Sequence, residues 1–239
     1  MPWPLLPSLT SRIKMIDDPG CMKLFCAHLQ VPVLWLMFAY GCAHPAHPAP
    51  KAPISETDPA QPTVFGERMQ LPGASNVGKL NDFLYRGSQP NEEGFEQLQK
   101  LGITTIVDIR RQHQGAVKNE RKRVEALGMH FVYIPASGWS VPTDDELVQF
   151  FSFLQQHPKE KLYVHCWLGD DRTGVFLAAY RIVFEHWAAE KAFQEMLFFH
   201  FKNFWHPSMR IYIQNFPVHF AQSPAFAPFR SESSAQHDR

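Results

Sequence analysis

Between residues 63 and 222 the apolar positions follow two rhythms, one of strands and one of helices. Leu84-Tyr85-Arg86 is a short strand-like run, closed by the turn residues Gly87-Ser88-Gln89-Pro90. Asn91 then stands where a helix N-cap belongs, the helix runs through Gln99, and Gly102 ends it. Ile103 to Ile109 alternates like a buried strand, Lys118 to Leu127 forms an amphipathic helix ended by Gly128, and Met129 to Ile134 is the next strand. Thr143 with Glu146 three residues on makes a capping box, and its helix reaches about Gln156. Lys161 to His165 is a short apolar strand, and helices follow over Thr173–Trp187, Ala188–Phe199 and Pro207–Phe220. Strands alternating with helices predict an α/β domain with a central, mostly parallel sheet of four to five strands flanked by helices. Ligands of such sheets bind at the carboxyl ends of the strands.

Residues 1–42 follow neither rhythm. Met22-Lys23 and the apolar stretch Leu24–Tyr40, densest at Val31–Tyr40, resemble a signal peptide. The stretch is too short, and too interrupted by His28, Gln30 and Pro32, for a membrane span. Ala39-Tyr40-Gly41-Cys42 resembles a bacterial lipoprotein cleavage box, with Cys42 as the lipidated residue. Residues 43–62 are a Pro/Ala-rich tether too poor in apolar side chains to fold, and residues 223–239 are expected to be a flexible tail. This order of segments predicts an exported, membrane-anchored lipoprotein facing the periplasm or the cell exterior.

Composition narrows the chemistry. Lys+Arg and Asp+Glu are equal at 23 each, so there is no overall basic field to attract nucleic acid. Three of the four cysteines, Cys21, Cys26 and Cys42, precede the domain, which leaves it the single thiol Cys166 and no internal disulfide. No Cys/His cluster has metal-ligand spacing, so neither metal nor cofactor is expected; His44 and His47 are read as spacer residues.

That thiol lies in the most informative stretch, His165-Cys166-Trp167-Leu168-Gly169-Asp170-Asp171-Arg172-Thr173-Gly174. A loop between a strand's end and a helix's start gathers backbone N–H groups around one point, and the helix dipole adds positive potential there. A cysteine at its base is expected to be a thiolate at neutral pH. Arg172 offers a planar fork to two phosphate oxygens, a geometry lysine lacks.

The stretch resembles the signature loop of the cysteine-dependent protein tyrosine and dual-specificity phosphatases, His-Cys-x5-Arg-Thr/Ser-Gly. The segments Leu84–Pro90, Thr105–Arg110 and Tyr133–Pro135 resemble the compact bacterial members of that family. The resemblance implies a metal-independent phosphoric monoester hydrolase with the family's fold, a phosphorylated protein or small phosphomonoester as substrate, and these roles. Cys166 is the nucleophile that becomes a phosphocysteine. Arg172 and the backbone amides of Trp167, Leu168, Gly169, Asp170, Asp171 and Arg172 hold the phosphate oxygens. His165 orients the loop. Thr173 donates to the sulfur, and Gly169 and Gly174 allow close backbone approach.

The general acid is missing from its usual place. Most relatives supply an aspartate from a separate loop upstream of the cysteine, and that place falls near Gly138 in Ala136-Ser137-Gly138-Trp139-Ser140. Asp171 inside the loop is the favoured substitute. Its other readings are a pair with Arg172 or a helix cap, and Asp144 or Asp145 is the alternative acid. With Asp170, Trp167 and Leu168 in the loop, the rim reads as less basic and more apolar than a polyanionic substrate needs, which favours a phosphorylated aromatic. Trp139 is read equally as another wall or as core. Arg86, Asp108 and Arg110 are expected to brace the loop through ion pairs, and Phe198–Phe201 with Phe204-Trp205 to fill the core. The competing readings are a phosphate-binding pseudophosphatase, suggested by the absent loop acid, and a rhodanese-like sulfurtransferase, which Thr173-Gly174 argues against. Lipidation at Cys42 predicts that Cys42→Ser moves the exported protein from the detergent-rich to the aqueous phase on partitioning; an unchanged distribution rules it out.

Overall fold

The computed structural model describes residues 64–230; the export segment, Cys42 and the tether lie outside the described residues. Its frame is a sheet built from β1 (Glu67–Leu71), β2 (Ala74–Lys79), β3 (Leu84–Gly87), β4 (Thr105–Arg110), β5 (His130–Ala136) and β6 (Leu162–His165). The strand order is β1-β2-β3-β6-β4-β5. β3, β6, β4 and β5 run parallel, and β1 and β2 extend the sheet antiparallel. The sheet therefore has six strands, not the four to five expected. The two additions are the polar hairpin β1–β2, turned at Pro72-Gly73, whose largely exposed residues carry little hydrophobic signal.

Side chains alternate across the central strands, which divides the core in two. Leu84, Val107, Leu162 and Val164 face one layer, while Tyr85, Ile106 and Tyr163 face the other. The second layer is covered by α1 (Glu92–Lys100) and α2 (Gln114–Ala126), through Phe95, Leu98 and Val124. The first is covered by α3 (Asp144–Gln156), α4 (Asp171–Phe184), α5 (Ala189–Phe198) and α6 (Pro207–Gln222). Every residue of α4 from Thr173 to Val183 is buried, because the sheet and its neighbouring helices surround it.

Local signals set the helix starts. Asn91 Oδ1 accepts the Gly94 N–H at 2.9 Å, and the Thr143–Glu146 capping box closes in both directions. α2 starts at Gln114, four residues before the expected Lys118, with His113 as its N-cap. On the α4 side, Glu195 accepts from Arg181 twice, at 2.7 and 2.9 Å, and from the Gly66 N–H at 2.8 Å, which ties α4, α5 and the entry to β1 together.

The tail expectation needs correction over its first half. Pro224–Phe226 forms a 3₁₀ turn, and Phe226 and Phe229 are buried against Phe151. Two phenylalanines three residues apart meet one hydrophobic surface, which outweighs the loop-like Pro and Ser around them. Residues 231–239 lie outside the described residues. Phe204 and Trp205, expected in the core, are 86% and 65% exposed; only Phe199 and Phe201 of that aromatic run are fully buried. We predict that Phe226→Ala costs about 3–5 kcal/mol of stability, read as a lower urea midpoint with unchanged slope. A tail that contributes nothing to the core leaves the midpoint in place.

Candidate active site

Parallel register brings three strand ends to one line. Gly87 of β3 and Asp108 of β4 both stand opposite His165 of β6, and the chain leaves β6 directly into the loop 166–170. Cys166 is the only cysteine among the described residues, and it is buried at the loop's floor.

The loop's carbonyls are tied outward one after another. Cys166 O receives His165 Nδ1 at 3.2 Å, and Trp167 O receives the Gln89 N–H at 3.1 Å. Gly169 O receives Asn76 Nδ2 at 3.0 Å and the Arg86 guanidinium, and Asp170 O receives the Gly174 N–H at 2.9 Å. A peptide unit whose carbonyl points out must aim its N–H the other way. The amides of Trp167, Leu168, Gly169 and Asp170 donate to no acceptor among the described residues. The Arg172 guanidinium, next along, forms no ion pair among the described residues, and Thr173 Oγ1 is buried without a partner. The assembly is a set of unspent donors around a buried sulfur, fitted to a tetrahedral oxyanion.

Gly169 makes the turn possible. Its φ is +72°, and a methyl group there would collide with the Gly87 carbonyl. Gly174 differs from its expected role: an added Cβ would meet Met196 at an ordinary 3.4 Å, so no close backbone approach requires it.

Behind the loop lies a buried charge network. Asp108 accepts from Arg110 at 2.8 and 3.1 Å, Arg110 also pairs with Glu120, and Glu120 Oε1 lies 2.9 Å from His165 Nε2. Both His165 ring nitrogens therefore lie close to oxygens, Nδ1 to its neighbour's carbonyl and Nε2 to the Glu120 carboxylate. Asp108, Glu120 and His165 place possible ligand atoms within 4.8 Å of one another, but Arg110 already supplies the cation between the carboxylates. Arg110 also stacks on Trp167, 4.6 Å from its ring centre. Arg86 is fully buried; desolvation brings its guanidinium down to about 10, against the pull of Glu195, Cys166 and Asp170, so it is charged at neutral pH. Asp108 and Arg110 are thus ion-paired as expected, whereas Arg86 meets the loop through the Gly169 carbonyl and not through an ion pair.

The acidic residues divide their work differently from the expectation. Asp170 is buried rather than on the rim: it caps α4 by accepting the Asp171 N–H at 2.8 Å and pairs with Lys202. The Lys202 and Asp170 charges thus offset each other beside the loop. Asp144 is bound to His219 at 2.7 Å and to Ser223, so it fastens α3 to α6 instead of reaching the site. Asp171 neither pairs with Arg172 nor caps its own helix. Its Oδ1 accepts the Lys202 N–H at 2.8 Å, and its Oδ2 lies 3.4 Å from His206 Nε2. Burial, the largest influence, pushes its carboxyl above the usual range; Asp170 adds to this, and Lys202 and His206 oppose it. A Cβ on Gly138 would stand 3.8 Å from Arg172 Cζ, so the upstream loop does reach the site and brings no acid to it.

Trp139 is 77% exposed and packs at a tilt against His206, ring centres 5.3 Å apart, which removes its core reading. Trp167 and Leu168 are also exposed. On one side of the loop is a groove of about 450 Å³ lined by Arg68, Asn76, Leu168, His200 and Lys202; on the other is one of about 290 Å³ lined by Gln89, Arg110, Arg123 and Trp167. Asn76, Glu120, Lys202 and His206 were not found from sequence, because each reaches the loop from a distant segment and no local pattern marks it.

The family model for a DSP-PTPase phosphatase fused to NAD+ kinase matches residues 70–206. The dual specificity protein phosphatase TpbA of Pseudomonas aeruginosa is 27% identical over 145 residues in one strain, covering 60% of this chain and 63% of TpbA. In another strain it is 30% identical over 123 residues, covering 51% and 53%. The chain thus spans between half and two thirds of the length of these curated relatives. Among solved structures, a cysteine-to-serine TpbA in complex with pTyr superposes with a TM-score of 0.55 at 21% identity, covering 69% of this chain and 99% of that one. The core catalytic domain of the Saccharomyces cerevisiae PP-IP phosphatase SIW14, in complex with citrate, gives 0.52 at 19% identity, covering 61% and 87%. These superpositions establish a shared fold. We predict that Gly169→Ala weakens binding of inorganic phosphate or tungstate by about tenfold or more, since a side chain at that φ distorts the turn; calorimetry on the folded variant measures it, and unaltered affinity excludes the amide cradle.

Proposed function

Because the chain belongs to the family of DSP-PTPase phosphatase domains described as fused to NAD+ kinase, we propose that it is a metal-independent phosphoric monoester hydrolase of the tyrosine/dual-specificity type. The carrying observation is the buried Cys166 at the start of a loop with four amides, and the Arg172 guanidinium after it, that meet no acceptor or ion-pair partner among the described residues. The Cys166 thiolate attacks phosphorus in line, the bond to the leaving oxygen breaks, and a phosphocysteine forms. Loop amides and Arg172 hold the equatorial oxygens, whose charge the transition state must keep stabilised. The leaving oxygen takes the proton of Asp171. In the second step the Asp171 carboxylate takes a proton from water, the hydroxide oxygen attacks phosphorus, and the sulfur departs as thiolate. The unpartnered Thr173 hydroxyl is suited to assist that departure.

Three features support a phosphorylated polypeptide as substrate, with phosphotyrosine foremost. The exposed Trp139, Trp167 and Leu168 offer apolar contact beside the site. Grooves lie on both sides of the loop, as a chain passing across it requires. The relative TpbA has been seen with pTyr bound. Export and lipid attachment at Cys42 remain part of the proposal and would place this activity outside the cytoplasm. One observation favours a second reading, a phosphate-binding module: the acid's usual position is Gly138.

Cys166→Ser is expected to abolish hydrolysis of p-nitrophenyl phosphate, and EDTA to leave the wild type unaffected. A folded wild type with no turnover, yet tight phosphopeptide binding, selects the module instead. Asp171→Asn is expected to lower turnover by roughly 10²–10⁴-fold for phenyl phosphate and far less for the activated nitrophenyl ester. Because the Asp171 carboxyl is raised, it keeps its proton to higher pH than an ordinary aspartate. Phenyl phosphate turnover therefore falls as pH rises through that raised value. Equal loss with both esters counts against Asp171 as the acid.

A further inference from the structure

We propose that His206 is a positioning residue for Asp171: it holds the proton-bearing oxygen of that carboxyl and sets the pH range in which it acts as an acid. This rests on the reading of Asp171 as the general acid.

The two carboxyl oxygens are not equivalent. Oδ1 is occupied by the Lys202 N–H at 2.8 Å, so a proton on the carboxyl resides on Oδ2. Oδ2 is the oxygen that faces His206 Nε2, at 3.4 Å. His206 cannot easily drift away. Its own N–H donates to Lys202 O at 3.1 Å, its carbonyl accepts from Met209 at the start of α6, and its ring is 8% exposed with Trp139 lying over it. The turn 202–206 thus grips Asp171 twice, once by backbone and once by a titratable ring.

The charged groups acting on Asp171 besides His206 are Asp170 and Lys202, which are paired with each other; Arg172 follows it in α4. Burial and Asp170 favour the protonated carboxyl, while Lys202 and an imidazolium at 206 favour the carboxylate. An acid that must become a base in the next step needs both influences in balance. With the charge of His206 removed, Asp171 keeps its proton to higher pH. The alkaline limb of such a profile would belong to the pair and not to either residue alone.

The test is the pH dependence of kcat for phenyl phosphate, which needs the acid, beside p-nitrophenyl phosphate, which needs it little. The full chain is compared with His206→Gln, Trp139→Ala and Asp171→Asn. His206→Gln should move the alkaline limb for phenyl phosphate upward by roughly half to one pH unit, with KM changed less than about twofold. Trp139→Ala removes the ring packed against His206, loosens its hold beside Asp171 and should move the same limb upward by less, so the proposal stays testable if His206→Gln fails to fold. A profile merely scaled down at all pH values in both variants means that His206 only packs, and overturns the inference. If Asp171→Asn itself leaves phenyl phosphate turnover intact, the acid reading fails first, an outcome distinct from an unshifted limb in an enzyme that needs Asp171.

Discussion

Everything at this site depends on the outward fastening of the 166–170 carbonyls. A five-residue turn around an anion would otherwise close on itself, its amides satisfied by its own carbonyls. Here Arg86, Asn76, the Gln89 N–H and His165 take the carbonyls from outside. The amides are left facing inward before any ligand arrives. Such donors need no rearrangement when charge develops on a transferring phosphoryl group, which is where preorganised dipoles contribute most.

The fastening requires buried charge, and buried charge carries a desolvation cost of several kcal/mol per ion. The fold offsets that cost by pairing. Asp108, Arg110, Glu120 and His165 form one continuous chain behind the loop, and Arg181 with Glu195 forms another beneath α4. Among the described residues Arg86 has no carboxylate within ion-pair distance; carbonyls and the Phe199 ring, 4.3 Å from its guanidinium carbon, receive it instead. Its positive charge is left to act on Cys166. A charge-braced loop thus sits at the end of a buried central strand, with the remaining parts of the site on surrounding segments.

Those segments account for the absence of an upstream acid. The loop around Gly138 still approaches Arg172, but presents a glycine and the exposed Trp139. The carboxyl near the loop is instead Asp171, whose partners come from the chain after α5. In the role proposed for Asp171, moving the acid from a separate loop to the first turn of the helix trades mobility for fixed position. It also makes the acid's proton affinity depend on what packs against that turn.

Much of this was legible in the amino-acid order because it is local. The capping residues Asn91 and Thr143, the alternation in Thr105–Arg110, the apolar run Leu162–Val164 and the spacing from Cys166 to Arg172 act on neighbours in the chain. They fixed the α/β alternation, the loop and the place of its thiol. The polar hairpin β1–β2, the docking of Phe226 and Phe229, the burial of Asp170 against Lys202 and the pairing of Asp171 with His206 arise from contacts between distant segments. A charge reads as surface in sequence because water is its cheapest partner; only the folded packing decides which charges lose that water and which residue replaces it.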